Sequence, residues 1–156
     1  MNVPLIPTNY YFNDILVNAI NAGAPAVTKL SAAKLMLGTV FLQPGLLTTY
    51  AELTEATFTG YAQSATVVWG TPINDVDTTP TSQSPSHLFR CTAGGVTNQI
   101  YNMAVTDGVV APGTGILASA AWTPPIVIAN AGDGFSVLVD WNLGNVPGNL
   151  NVTIVQ

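Results

Sequence analysis

The chain has 156 residues, 48% of them hydrophobic and 7% charged, with 3 basic and 8 acidic side chains and a net charge of −5. That length suits one domain with its own core. Charged residues make up about a quarter of an ordinary soluble domain, so this surface must be built from Thr, Ser, Asn, Gln and Gly. The only bases, Lys29, Lys34 and Arg90, are too few to neutralise a run of phosphates or to hold anionic lipid, so neither direct nucleic-acid binding nor membrane docking is expected. A neutral polar surface costs little desolvation or side-chain entropy when a neighbour covers it. The composition therefore points to a protein packed into an assembly.

Residues 1–9, MNVPLIPTN, carry Pro4 and Pro7 and no periodicity, and they read as an extended arm. With no basic segment ahead of an apolar run, this start makes a poor signal peptide, and synthesis in the cytoplasm is expected. Asn9 or Asn13 can cap a short helix over 13–20 whose apolar stripe is Phe12, Leu16, Ala19 and Ile20. Gly23 and Pro25 then end it. Residues 1–33 are thus expected to stand as arm and short helix before a β domain over 34–156.

From Ala33 the period becomes two: Leu35, Leu37, Thr39 and Phe41 share one face of a strand over 35–42, closed by Pro44-Gly45. Thr49-Tyr50-Ala51-Glu52 has the spacing of a capping box, which gives the Glu52 carboxylate a structural task. Further strands are expected over 62–69, 87–91, 99–106, 115–122, 126–129, 135–143 and 150–155. Between them, 73–86 is too rich in Pro, Ser, Thr and Asp to bury itself, so it forms an exposed loop carrying Asp75, Asp77 and Ser84, with His87 at its end. Asp107-Gly108 and Asp133-Gly134 supply hairpin turns. About eight short strands with regular turn signals predict a mainly β fold, a jelly-roll-like antiparallel sandwich. The Pro- and Gly-broken run over 109–132 would make a poor membrane helix.

The chemistry-bearing residues are few. Cys91 is the single cysteine and His87 the single histidine, which excludes an intrachain disulfide and any Cys- or His-rich metal site within one chain. His87 and Cys91, four apart on one strand, are the sharpest candidate for a base and nucleophile, yet no third group orients them. Glu52 and Glu55 could share a helix face as a carboxylate pair, but capping accounts for both. Asp75 and Asp77 lack the glycine and terminal glutamate of an EF-hand loop, and Gly94-Gly95 and Gly113-Thr114-Gly115 lack the rest of a phosphate-binding motif. Trp69, Trp122 and Trp141 could form a sugar platform only if they shared an exposed face. No catalytic residue, metal or cofactor is expected.

The blocks LTTYAELTEATFTGYAQSATVVWGTP over 47–72, SHLFRCT over 86–92, IYNMAVTDG over 100–108, GILASAAW over 115–122 and IANAGDGFSV over 128–137 resemble a group of small β-rich phage virion proteins. In the GYA segment, Phe58 and Tyr61 are expected to be core anchors around a turn at Gly60, at the start of a strand. The resemblance implies a structural role in a phage particle and brings no catalytic residues. It leaves two positions open. One is a capsid cement or decoration protein on the head surface, self-associated as a trimer and bound to the major capsid protein or other virion proteins. Val3, Pro4, Leu5, Ile6, Pro7, Tyr10, Tyr11 and Phe12 would then make the assembly contacts. The other is a tail-fibre or tail-tip module that binds host carbohydrate through the 73–86 loop. The lack of a long trimerisation stem favours the first.

Overall fold

A computed structural model describes residues 1–9, 33–45, 48–63, 81–107, 115–142 and 148–155. Among them are nine strands in two antiparallel sheets. The first sheet runs in the order β1 (Asn2–Pro4), β9 (Gly148–Val155), β8 (Gly134–Asn142), with β4 (Thr81–Gln83) and β5 (His87–Arg90) placed in tandem along the far edge of β8. The second runs β2 (Ile6–Pro7), β7 (Ile116–Ile128), β6 (Asn98–Thr106), β3 (Lys34–Gly38). Two pairs of strands consecutive in sequence are also paired in space, β6 with β7 and β8 with β9. The fold is mainly β, as composition and turn spacing predict.

Residues 2–7 do not stand in front of this domain as a free arm. They belong to it: β1 closes the edge of the first sheet against β9, and β2 closes the edge of the second against β7. Val3 and Leu5 are buried in the core, and Pro7 and Thr8 are buried beside them. The Thr8 amide donates to the Leu117 carbonyl at 2.9 Å, and its hydroxyl donates to the Ile116 carbonyl. The two prolines that suggested an arm are compatible with this place, because an edge strand needs ladder donors on one side only. The expected helix over 13–20 lies outside the described residues, as does the expected strand over 62–69 beyond Gln63.

Inside the sandwich, Phe89, Phe135, Val137 and Val139 of the first sheet meet Leu35, Leu37, Met103, Val105, Trp122, Ile126 and Ile128 of the second. Fully burying one such side chain contributes roughly 1.5–3 kcal/mol. Phe58 and Ala56 fill the space between the sheets from the 54–63 segment, and Tyr61 packs against them. The rings of Phe58, Tyr61, Phe89 and Phe135 follow one another at centroid distances of 5.3, 6.2 and 5.8 Å. Phe58 and Tyr61 are thus core anchors around a turn, as read from the sequence. Gly60 is at φ +92, a conformation that L side chains rarely adopt. The segment makes this turn and an isolated bridge between Glu55 and Gly38, and no longer strand up to Gln63.

The second sheet is closed on its other face as well. Met36, Asn102, Ala104, Thr106, Ile116 and Ser119 are all buried, although Met36, Ala104 and Ser119 form a row across three strands on the face away from the sandwich core. Strands covered on both faces read as continuous apolar runs without alternation. That matches LMLG in β3 and ILASAA in β7.

Two local expectations are corrected. The strand over 35–42 ends at Gly38; beyond it the Thr39 amide donates to Thr54 O and the Ala56 amide to Leu37 O, so the 54–56 stretch becomes the next edge. The separate strands over 115–122 and 126–129 are one strand, β7, running through Pro124 and Pro125. β6 pairs with β7 up to Ala121 and again from Ile126, with an irregularity between Ile100 and Asn102. Both prolines fall in that gap, where no ladder donor is required of them.

Candidate functional site

Each candidate that falls among the described residues has a definite place. In β5, His87, Phe89 and Cys91 alternate with the exposed Leu88 and Arg90, so His87 and Cys91 do share a face. A strand rises about 3.3 Å per residue, which separates them by about 13 Å, with Phe89 between. No proton can pass directly over that distance. The Cys91 thiol is buried and donates to Ala93 O at 3.0 Å. The His87 Nε2 is buried without a hydrogen-bond partner among the described residues, and desolvation holds the imidazole below its ordinary value of 6.5, so it is neutral at pH 7.

Ser84, expected on an exposed loop, is buried. Its amide donates to Val139 O at 2.9 Å, and its hydroxyl oxygen accepts the Val139 amide at 3.0 Å. It therefore continues the pairing along β8 where the edge passes from β4 to β5. Asp75, Asp77, Tyr10, Tyr11 and Phe12 lie outside the described residues. Trp122 is buried and its Nε1–H donates to Ile100 O at 2.9 Å, which removes it from any exposed sugar platform. The side chains of Trp69 and Trp141 lie outside what the structure describes.

Two of the acids, Glu52 and Asp133, are occupied by nearby backbone amides. Glu52 Oε2 accepts the Thr49 amide at 2.7 Å and the Thr49 hydroxyl at 2.9 Å, on a one-turn 3-10 helix over Tyr50–Glu52. These bonds, the amide first, hold its carboxyl below the ordinary 4.5. Asp133 Oδ2 accepts the amides of Ala129 at 2.9 Å and Asn130 at 2.8 Å, which lowers its carboxyl from 3.8. The left-handed residue of that turn is Gly132, at φ +100, so the glycine before Asp133, not the one after it, supplies the bend. Glu55 Oε1 accepts the Tyr61 hydroxyl at 2.9 Å, and the Tyr61 oxygen accepts the Leu37 amide at 3.1 Å. Burial, assisted by the Glu55 charge, pushes the Tyr61 hydroxyl up, so it remains a neutral donor. Among the described residues no three His, Cys, Asp or Glu side chains come together in a way that could hold a metal ion.

Among the described residues the fold exposes several large apolar side chains. Val40, Phe41 and Val127 are each about half exposed. Phe41 meets Tyr101 edge to face at 6.3 Å, and the Tyr101 hydroxyl donates to Gln99 Oε1 at 3.0 Å. Gln99 in turn lies opposite Val127 in the β6–β7 register. The patch is held from beneath by Asn102, whose Nδ2 donates to Val40 O and so fixes the chain as it leaves β3. Asn102 lies across Gly38, its register partner, where a methyl group would fall 1.8 Å from Asn102 Oδ1. Glycine is required there by close approach to a partner distant in sequence, which no local pattern signals. Aromatic and aliphatic groups beside the Gln99 amide and the Tyr101 hydroxyl suit burial against another protein, where Tyr and Phe are favoured and charges are depleted. Reading 35–42 as one regular strand hid this patch, because that reading turns Phe41 to the core.

No family model matches the chain, and no curated protein or solved structure matches it. Among the described residues no helix is long and apolar enough to cross a membrane.

Proposed function

We propose that this chain is a structural protein of a phage particle, a cement or decoration protein that stabilises the head shell by bridging neighbouring capsomers. The observation that carries the reading is the uncharged apolar patch of Val40, Phe41, Tyr101 and Val127 on a protein with 7% charged residues. An exposed apolar patch ringed by polar groups marks an interaction surface. The occupant we assign is a protein subunit of the shell, because the patch offers neither the basic groups for nucleic acid nor those for lipid. The resemblance of the 47–137 blocks to small phage virion proteins supports the same assignment. Self-association as a trimer fits a protein placed at threefold positions of such a shell.

The residues proposed as contacts change accordingly. Val3 and Leu5 are committed to the core, so simple deletion of residues 1–9 would damage the domain and could not isolate an arm's contribution. The deciding experiment is cryo-electron microscopy of the particle whose genome encodes the chain. Density for this domain across capsomer boundaries, with Phe41 and Tyr101 against a neighbour, is the expected result. Density confined to the tail tip, with the 73–86 loop facing outward, would replace the proposal with a host-binding role.

A further inference from the structure

The edges of the two sheets are not treated alike. β1 and β2 carry Pro4 and Pro7, residues that blunt an edge strand against a newcomer. β3 is covered by the 54–56 stretch, through the Thr39 amide on Thr54 O and the Ala56 amide on Leu37 O. β5 has neither device: HLFR contains no proline, and among the described residues it pairs with β8 alone.

The Cys91 amide donates to Asp133 O and the Cys91 carbonyl accepts the Gly132 amide, so this residue turns both backbone groups toward β8. Successive residues of an antiparallel strand point these groups to alternate sides. Phe89 therefore serves β8, while Leu88 and Arg90 turn theirs outward. The next outward amide, that of Thr92, is already taken by Thr59 O at 2.9 Å. Gly60 lies beside it, where a methyl group would fall 3.1 Å from Arg90 O. This turn ends the bare edge at Arg90 and leaves the Leu88 amide, the Leu88 carbonyl and the Arg90 amide to a newcomer.

The side chains say what the newcomer carries. Leu88 is 56% exposed, and Arg90 is exposed on the same face, two residues on. The Arg90 guanidinium stands over the 130–133 turn, its Nη2 3.9 Å from where a Cβ on Gly132 would lie. The carboxylate of that turn, Asp133, is spent on the Ala129 and Asn130 amides, and among the described residues Arg90 makes no ion pair. We infer that the outer edge of β5 is a strand-addition site for an extended segment of another protein, which sets an apolar side chain against Leu88 and a carboxylate, two positions away, on Arg90. The backbone bonds give affinity for an extended chain, and the two side chains select its sequence. Antiparallel pairing with a second β5 is disfavoured, because it would carry the partner's residues before Leu88 past Arg90 and into the Thr59–Gly60 turn. The site lies on the outer side of the first sheet, and the Phe41 patch on that of the second, where Val127 stands between the core residues Ile126 and Ile128. Contacts on opposite sides let one domain join two neighbours. The inference rests on the bare edge and does not require a phage shell.

The test selects an immobilised random library of peptides of about six residues on the whole chain and, in parallel, on Leu88→Pro, Arg90→Glu and Phe41→Ser. Leu88→Pro removes an outward amide and no bond to β8, so thermal melts should show it folded. Arg90→Glu, an exposed substitution, decides the matter should the proline variant fail to fold. The expected result is enrichment of peptides with an acid two positions from an apolar residue, falling at least about tenfold on Leu88→Pro. On Arg90→Glu the acid should give way to Lys or Arg, since like charges repel. No enrichment, or enrichment that both variants leave unchanged, would overturn the site. Enrichment lost only on Phe41→Ser would place the peptides on the apolar patch and likewise overturn it. A dimer of the chain that Leu88→Pro dissociates would give the edge to a second copy, against the inference. The shell assignment is decided by microscopy in every case.

Discussion

The second sheet is closed at its two edges by different means. At β3 the 54–63 segment is fastened by backbone bonds from Thr39 and Ala56, by the Tyr61 hydroxyl between the Leu37 amide and Glu55, and by the Thr57 amide on Asn98 Oδ1 at 2.7 Å. At β7 the cover is two residues of β2 and the side chain of Leu5, with Thr8 as the last tie. The first edge is laced by polar side chains that fit nowhere else. The second relies mainly on apolar burial and backbone pairing, with the Thr8 hydroxyl on the Ile116 carbonyl as its polar side-chain tie. The lesson is that burial alone does not make an element permanent; specific polar partners do.

The sharpest way to break the contrast is Leu5→Ala. Truncating a fully buried leucine costs about 2–5 kcal/mol, and chemical denaturation should show a midpoint loss of that size. The same variant should also shed residues 1–9 to protease before global unfolding. A loss below about 1 kcal/mol would mean that Leu5 is no anchor and that the edge is held by backbone alone.

Next in size is Tyr61→Phe, which leaves the ring stack on Phe58 and Phe89 but strands the Leu37 amide and the Glu55 carboxylate. Leaving a buried donor unpaired costs about 1–3 kcal/mol. Amide hydrogen exchange should quicken at Leu37 and Ala56 while the β1–β9 pairing keeps its protection. Uniform acceleration at both edges would show that they open as one unit and that the contrast is false.

The smallest effect belongs to His87. Its folded value lies below its unfolded value of about 6.5, so between the two the unfolded chain binds a proton that the folded chain does not. Stability is therefore full above pH 6.5 and falls as pH drops below it. In His87→Gln that part of the pH dependence should disappear from thermal melts taken between pH 7.5 and 5, leaving only the carboxylate losses below about pH 4.5.

Much of this fold was legible because its signals are local. Alternation located β5 and β8, turn residues located the 130–133 bend, and the Thr49–Glu52 spacing located its cap. What escaped was decided by distant partners. Pro124 and Pro125 read as a break because the irregular pairing that tolerates them lies on β6. Ser84 read as a loop residue because the amide that makes it useful belongs to Val139. The prolines of 1–9 read as a free arm because the two edges they cap, β7 and β9, come from the far end of the chain. The candidate surface was the least legible part, since Phe41 and Tyr101 meet only through the carbonyl that Asn102 holds.

The side chains of Val40, Phe41, Tyr101 and Val127 carry no charge, and this says how an association made through them will behave in different solvents. With no ion pair to screen, the Debye length has nothing to act upon. Salts such as sulfate, excluded from apolar surface, strengthen this kind of contact. A partner seated on this patch will hold at least as firmly in molar sulfate as in dilute buffer, unlike one recruited by opposite charge.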